Sequence, residues 1–131
     1  MPWTGFIAVG CGAAVGAWLR WGLGILFNPI VPALPLGTLA ANLVGGLLMG
    51  MAMEYAALHT SLSPEMRLLA TTGFLGGLTT FSTFSGEMSV LIARRDWTWA
   101  ALGITAHVAG SILLTLLGIA IARALFASPA S

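Results

Sequence analysis

Four long apolar runs, separated by short clusters of proline, polar and charged residues, make up nearly the whole chain. The first runs from about Trp3 to Phe27 and is closed by Asn28-Pro29, with Pro32 and Pro35 behind it. Prolines end helices because they lack a backbone N–H and restrict the residue before them. The second run covers about Pro35 to Leu58 and finishes in the polar His59-Thr60-Ser61. Ser63-Pro64-Glu65-Met66 is a helix-start signature, with Ser63 as N-cap and Pro64 at the first helical position. From there the third run leads to about Ile92, is interrupted near Gly76–Thr80, and closes at Arg94-Arg95-Asp96. The fourth covers about Trp97 to Phe126. Runs of this kind match the ~20 apolar residues that a helix needs to cross a bilayer. Trp3, Trp18, Trp21, Trp97 and Trp99 fall near run ends, where indole rings anchor at the membrane–water boundary. The pairs Gly12/Gly16, Gly46/Gly50 and Gly73/Gly77 predict close helix contacts. No internal repeat and no low-complexity linker is present.

The interruption in the third run is the most informative local pattern. Residues 71–86, TTGFLGGLTTFSTFSG, carry four glycines and seven hydroxyl side chains inside an apolar span. A helix that merely faces lipid has no use for them. Non-helical backbone at membrane depth is tolerated only where protein or a water-filled cavity satisfies it. The segment therefore reads as a broken helix lining a site for something small and polar.

Composition narrows the class without changing that picture. The chain is 58% hydrophobic and 7% charged, with a mean hydropathy of +0.97, which predicts an all-α membrane protein. In 131 residues there is room for a single domain of four transmembrane helices, the third broken, and for no soluble catalytic domain. So thin a bundle has little interior of its own and calls for self-association. A net charge of +1 leaves no basic patch for nucleic acid. The single cysteine, Cys11, excludes an intrachain disulfide. The amino-terminal apolar run is too long for a signal peptide and lacks a basic lead, so it reads as a retained first span. The chain has no lysine, and its arginines are nearly balanced: Arg67 and Arg123 on one side of the predicted bundle, Arg20, Arg94 and Arg95 on the other. That balance gives the positive-inside rule no firm orientation. Such a chain can insert both ways round, and two inverted copies can pair about an axis in the membrane plane.

Several polar residues are candidates for chemistry within the spans. Thr38 and Asn42 are four apart and share a helix face, continued by Gly45 and Gly46. Asn42 either makes an interhelical hydrogen bond or donates its amide to a permeating solute. His107, Ser111 and Thr115 form an i, i+4, i+8 stripe on the fourth span; His107 alone could relay protons, but no membrane-embedded carboxylate pairs with it obviously. Phe81 and Phe84 share a face directly after the break, among the hydroxyls of Ser82 and Thr83. Ring edges are positive and can meet an anion, whereas ring faces meet a cation. The broken backbone offers carbonyls to a metal cation and amides to an anion. Arg20 either snorkels to the headgroups or supplies positive potential at an anion vestibule. Glu87 fits either a loop contact or a vestibule. No nucleophile–base pair, metal-ligand cluster or phosphate loop is present, which argues against an enzyme.

GTLAANLVGG (Gly37–Gly46) and GFLGGLTTFSTFS (Gly73–Ser85), with GAAVGAWLRW (Gly12–Trp21) ahead of them, resemble the CrcB/Fluc fluoride channels, in order and over essentially the whole chain. The resemblance implies an antiparallel, dual-topology homodimer in the cell inner membrane, with two narrow pores that let fluoride out passively and so lower its toxicity. It implies a sodium ion at the dimer centre, held by backbone carbonyls of Gly76 and Thr79 from each copy. The pore phenylalanines correspond to Phe81 and Phe84, the span-two asparagine to Asn42, the vestibule arginine to Arg20, and the hydroxyl track to Ser82, Thr83, Ser111 and Thr115. At His107 many members carry tyrosine, which leaves the lining of span four open. Of the other classes of function, a small dual-topology multidrug exporter would resemble a family that uses a membrane-embedded glutamate in span one, and none is present there. A structural subunit of a larger complex would not need the break.

Overall fold

The computed structural model of the chain describes residues 2–128. Helix α1 (Trp3–Phe27) is followed by a 3-10 turn at Asn28–Ile30 and by α2 (Leu36–Leu58). The third run is helical in pieces: α3 (Pro64–Leu68), a π-helical stretch (Leu69–Leu75), α4 (Gly76–Leu78) and α5 (Phe81–Ala93). Helix α6 (Trp97–Phe126) closes the fold, and no strand occurs among the described residues. By length and composition α1, α2 and α6 are able to cross a membrane.

Local chemistry accounts for most of these boundaries. Ser63 Oγ accepts from the Met66 N–H at 3.2 Å and Pro64 takes the first helical position, as the sequence predicts. The start of α2 is capped from a distance: Pro35 cannot cap by side chain, and Asn28 Oδ1 accepts from the N–H groups of Gly37 and Thr38 at 2.8 and 3.1 Å. Two of the orphan donors of a helix start are thereby satisfied. Arg95 adopts a φ of 59° in the tight turn between α5 and α6.

The third run differs in detail from its sequence reading. The break is narrower than Gly76–Thr80: Gly76–Leu78 is still helical, and only Thr79 and Thr80 are extended (ψ 156° and 124°). Ahead of it lies the π-helical stretch, in which the Gly76 N–H reaches back to the Thr71 carbonyl. The Thr71 hydroxyl donates to the Arg67 carbonyl at 2.7 Å, back-bonding that favours a distorted helix. Inserted residues of this sort concentrate at functional sites.

Glycines set how closely the helices approach. A methyl group on Gly12 or Gly16 of α1 would strike backbone of the segment 69–78, and one on Gly73 or Gly77 would strike the α1 backbone at Val9 or Ala13. A second seam joins α2 to α6, where Gly46, Gly50 and Gly118 face backbone of the other helix. Van der Waals packing of bare backbone drives association where lipid offers no hydrophobic gain. Gly16→Ala is accordingly expected to destabilise the fold by about 1–3 kcal/mol, the usual range for overpacking. Gly22→Ala, with nothing within 4 Å of the added methyl, serves as its control. Thermal unfolding in detergent reads the difference; equal midpoints for the two variants would contradict the packing.

Helix α2 is the centre of the molecule. It is the most buried of the three long apolar helices. The core consists of two small clusters, Leu34, Phe84, Met88, Leu91 and Ala100, and Ala41, Leu75 and Leu78. Large side chains such as Trp3, Trp18, Trp21, Leu113 and Leu116 face outward, the arrangement expected where lipid is the solvent.

Candidate functional site

Between α2, the break, the start of α5 and the middle of α6 lies a cavity of about 400 Å³. Asn42, Thr79, Thr80, Phe81, Phe84, His107, Ser111 and Thr115 contribute to its wall, and Gly45 and Gly46 leave room for it on α2. Residues read from the sequence as separate candidates on three spans thus meet at one place.

At its centre Asn42 holds the break. Its Oδ1 accepts from the Thr80 N–H at 2.7 Å and its Nδ2 donates to the Thr80 carbonyl at 2.9 Å. One side chain therefore satisfies both backbone groups of an extended residue, as a neighbouring strand would. The Thr80 N–H, which a continuous helix would give to the Gly76 carbonyl, is diverted to Asn42. The Thr80 hydroxyl then caps α5, accepting from the Thr83 N–H at 3.1 Å. On the other side of the break the Thr79 hydroxyl donates to the Leu75 carbonyl at 2.8 Å. Asn42 also approaches His107 Nδ1 at 3.0 Å.

The two phenylalanines have different settings. Phe84 is 6% exposed and lies against the His107 ring at 4.4 Å between centroids. Phe81 is 76% exposed and meets Phe84 edge-on at 5.6 Å. Phe81 is thus free to contact a neighbour or a solute. On α6 the Thr115 hydroxyl is shared between the Gly46 carbonyl at 2.9 Å and the Ser111 carbonyl at 2.8 Å. Its hydrogen is committed to the α2–α6 seam, while Ser111 is half-buried at the cavity wall.

Other candidates lie elsewhere. Ser82 and Thr83 are exposed and do not line the cavity. Gly76 is exposed as well. Arg20 is outside the cavity: its Nε donates to the Gly77 carbonyl at 3.1 Å, a cation at the C-terminal end of the first half-helix. Arg20 therefore joins α1 to the break.

The pair missed by sequence reading is Thr38 with Glu87. The Thr38 hydroxyl, 3% exposed, donates to Glu87 Oε2 at 2.7 Å, and Glu87 Oε1 is buried with no partner among the described residues. A signal existed: Thr38 is one turn before Asn42 and Glu87 one turn after Phe84, so the faces that meet at the cavity also bring these two together. Glu87 borders a second cavity of about 370 Å³, whose wall includes Pro32, Pro35, Arg94 and Asp96. A polar line thus leads from Ser111 through His107 and Asn42 to Thr38 and Glu87, between two cavities. Thr38→Val, which keeps the shape and removes the hydroxyl, is expected to cost about 1–3 kcal/mol by leaving the carboxyl without its donor. Thr38→Ser should retain most of that stability in the same unfolding measurement.

A helical body with an apolar exterior and an interior polar and aromatic line defines a membrane protein with a site for something small and polar. The chain belongs to the CrcB family: the family described as CrcB-like protein, Camphor Resistance (CrcB), matches residues 7–119. A fluoride-specific ion channel FluC of Cupriavidus metallidurans is 60% identical over 121 residues, covering 92% of this chain and 96% of the relative. The protein of the same name from Cupriavidus taiwanensis is 59% identical over 115 residues, with 88% and 91% covered. That from Ralstonia nicotianae is 57% identical over 125 residues, with 95% and 99% covered. Each of these relatives is named as an ion channel, not an enzyme.

Proposed function

We propose that this chain is a fluoride-selective channel of the cell inner membrane, which releases fluoride passively and protects the cytoplasm from it. The observation that carries the reading is the line of polar and aromatic side chains from Ser111 to Glu87 in a body otherwise apolar. The relatives named above, 57–60% identical, supply the identity of the ion. Fluoride is small and strongly hydrated, and an isolated ion in a low-dielectric medium costs tens of kcal/mol by Born estimates. A pore must return that hydration as hydrogen-bond donors and polarised ring edges. No fixed cation is needed at the narrowest point, where it would hold the ion instead of passing it.

In this reading the pieces of residues 64–93 together form the third of four spans, and two copies pair antiparallel to give two pores. The exposed Phe81 beside an open-sided cavity and the near balance of arginines support that assembly. The break also fits a sodium ion. The Gly76 carbonyl has lost the Thr80 N–H to Asn42, Thr79 is extended, and carbonyl oxygens suit a hard cation. The carbonyls of Gly76 and Thr79 from both copies would hold it, and its charge would tie the two breaks together.

Expression in a bacterium deprived of its own fluoride exporter tests the physiological role. Growth at a fluoride concentration that stops the parent strain is the expected result. Equal sensitivity, with the protein present in the membrane, would overturn it.

A further inference from the structure

We propose that Arg20 is a positioning residue for conduction, which acts on the break and not on the ion. Its Nε–H holds the Gly77 carbonyl from α1, as Asn42 holds Thr80 from α2, and the two holds together set the cavity wall at Thr79 and Thr80. The inference rests on the channel reading above and deepens it.

A break in a membrane-embedded helix frees backbone groups that must find other partners. In an unbroken helix the Gly77 carbonyl would receive the Phe81 N–H. Here Thr79 and Thr80 are extended, and Arg20 Nε donates to that carbonyl at 3.1 Å. Three residues on, Asn42 holds the Thr80 N–H and carbonyl at 2.7 and 2.9 Å. The extended pair is therefore held on both sides, by side chains of two different helices. Thr79 and Thr80 line the first cavity, so its wall hangs between the two holds.

The direction of the Arg20 side chain follows from its place on α1. Gly12, Gly16 and Arg20 are spaced by four and share a helix face. A methyl on Gly16 would strike backbone at Phe74, Gly77 and Leu78, so that face lies on the end of the first half-helix. Trp18 and Trp21 face outward, whereas Arg20 is half-buried. A cation is favoured at the carbonyl end of a helix, and a bond from Nε fixes the plane of the guanidinium. Arg20 is not among the residues of the cavity wall. Its influence on a passing ion is therefore exerted through Thr79 and Thr80.

Two substitutions separate the bond from the charge. In Arg20→Gln the amide nitrogen is attached to Cδ, as Nε is, so an N–H donor stays in place and the charge is lost. In Arg20→Lys the charge stays and a methylene stands where Nε stood. The full-length variants are compared by single-channel fluoride current in planar bilayers, which counts only folded channels, and by thermal unfolding. At saturating fluoride Arg20→Gln should stay close to the wild-type current. Arg20→Lys should fall roughly tenfold or more below it, the scale of one lost hydrogen bond to a charged group. The half-saturating fluoride concentration should not change in either. An Arg20→Gln current no larger than that of Arg20→Lys would overturn the proposal. So would a half-saturating concentration that rises in Arg20→Gln and recovers at high ionic strength, the mark of a charge acting from the entrance. Failure of the channel reading looks different: the wild type passes no fluoride current. The unfolding midpoints then decide the hold alone, with Arg20→Gln above Arg20→Lys supporting it and the reverse order removing it.

Discussion

Phe81→Ile is expected to slow fluoride release from proteoliposomes by roughly 10- to 150-fold while leaving the fold intact. Phe81 is 76% exposed in the single chain, and its one aromatic neighbour is Phe84 at 5.6 Å. Little intramolecular packing is lost when it changes. What isoleucine removes is the ring edge. If the ring edge serves the ion as a hydrogen bond to a charged group would, it contributes about 1.5–3 kcal/mol, and each 1.36 kcal/mol of barrier is about tenfold in rate, which gives the range. Chemical unfolding alongside the flux assay separates the two effects: an unchanged midpoint with slowed flux is the expected combination. Unchanged flux would remove Phe81 from the pore.

Asn42→Ala has the second large effect. Asn42 lines the cavity, so its loss is expected to slow flux. The structure adds a cost in stability, because alanine strands the Thr80 N–H and carbonyl together with His107 Nδ1. Each buried group left without a partner costs about 1–3 kcal/mol. Asn42→Ala should therefore unfold several degrees earlier than wild type and conduct poorly when it survives reconstitution. A variant of wild-type stability would mean that the break holds without its splint. Asn42→Ser is expected to fall in between.

Much of the fold is legible in the sequence because its causes are local. Runs of apolar residues, Pro35, the Ser63-Pro64 start and the Arg94-Arg95 turn are read within a few residues of where they act. The predicted limits Trp3 to Phe27, Leu58 and Trp97 to Phe126 coincide with those of α1, α2 and α6. The glycine pairs are legible as contacts, though not their partners. What is missed is set by distant partners. Asn42 finds Thr80 across 38 residues, Thr38 finds Glu87 across 49, and Arg20 finds Gly77 across 57. Periodicity places each residue on a helix face and leaves open which face it meets. The π-helical stretch is not legible for a related reason: its backbone packs against Gly12 and Gly16 of α1, and the Thr71 back-bond within the segment does not by itself specify a π turn. Ser82 and Thr83 stand apart from the cavity of the single chain. Their hydroxyls follow the break in sequence, yet the first turn of α5 leaves them outside the cavity.

The central claim is selective, passive fluoride conduction, and ion efflux from liposomes tests it most directly. Purified protein is reconstituted in vesicles loaded with fluoride and chloride salts of potassium, and release of each anion is followed with its selective electrode once a potassium ionophore dissipates the diffusion potential. Rapid fluoride release with chloride retained is the result the account predicts. Release of both anions, or of neither from folded protein, would contradict it.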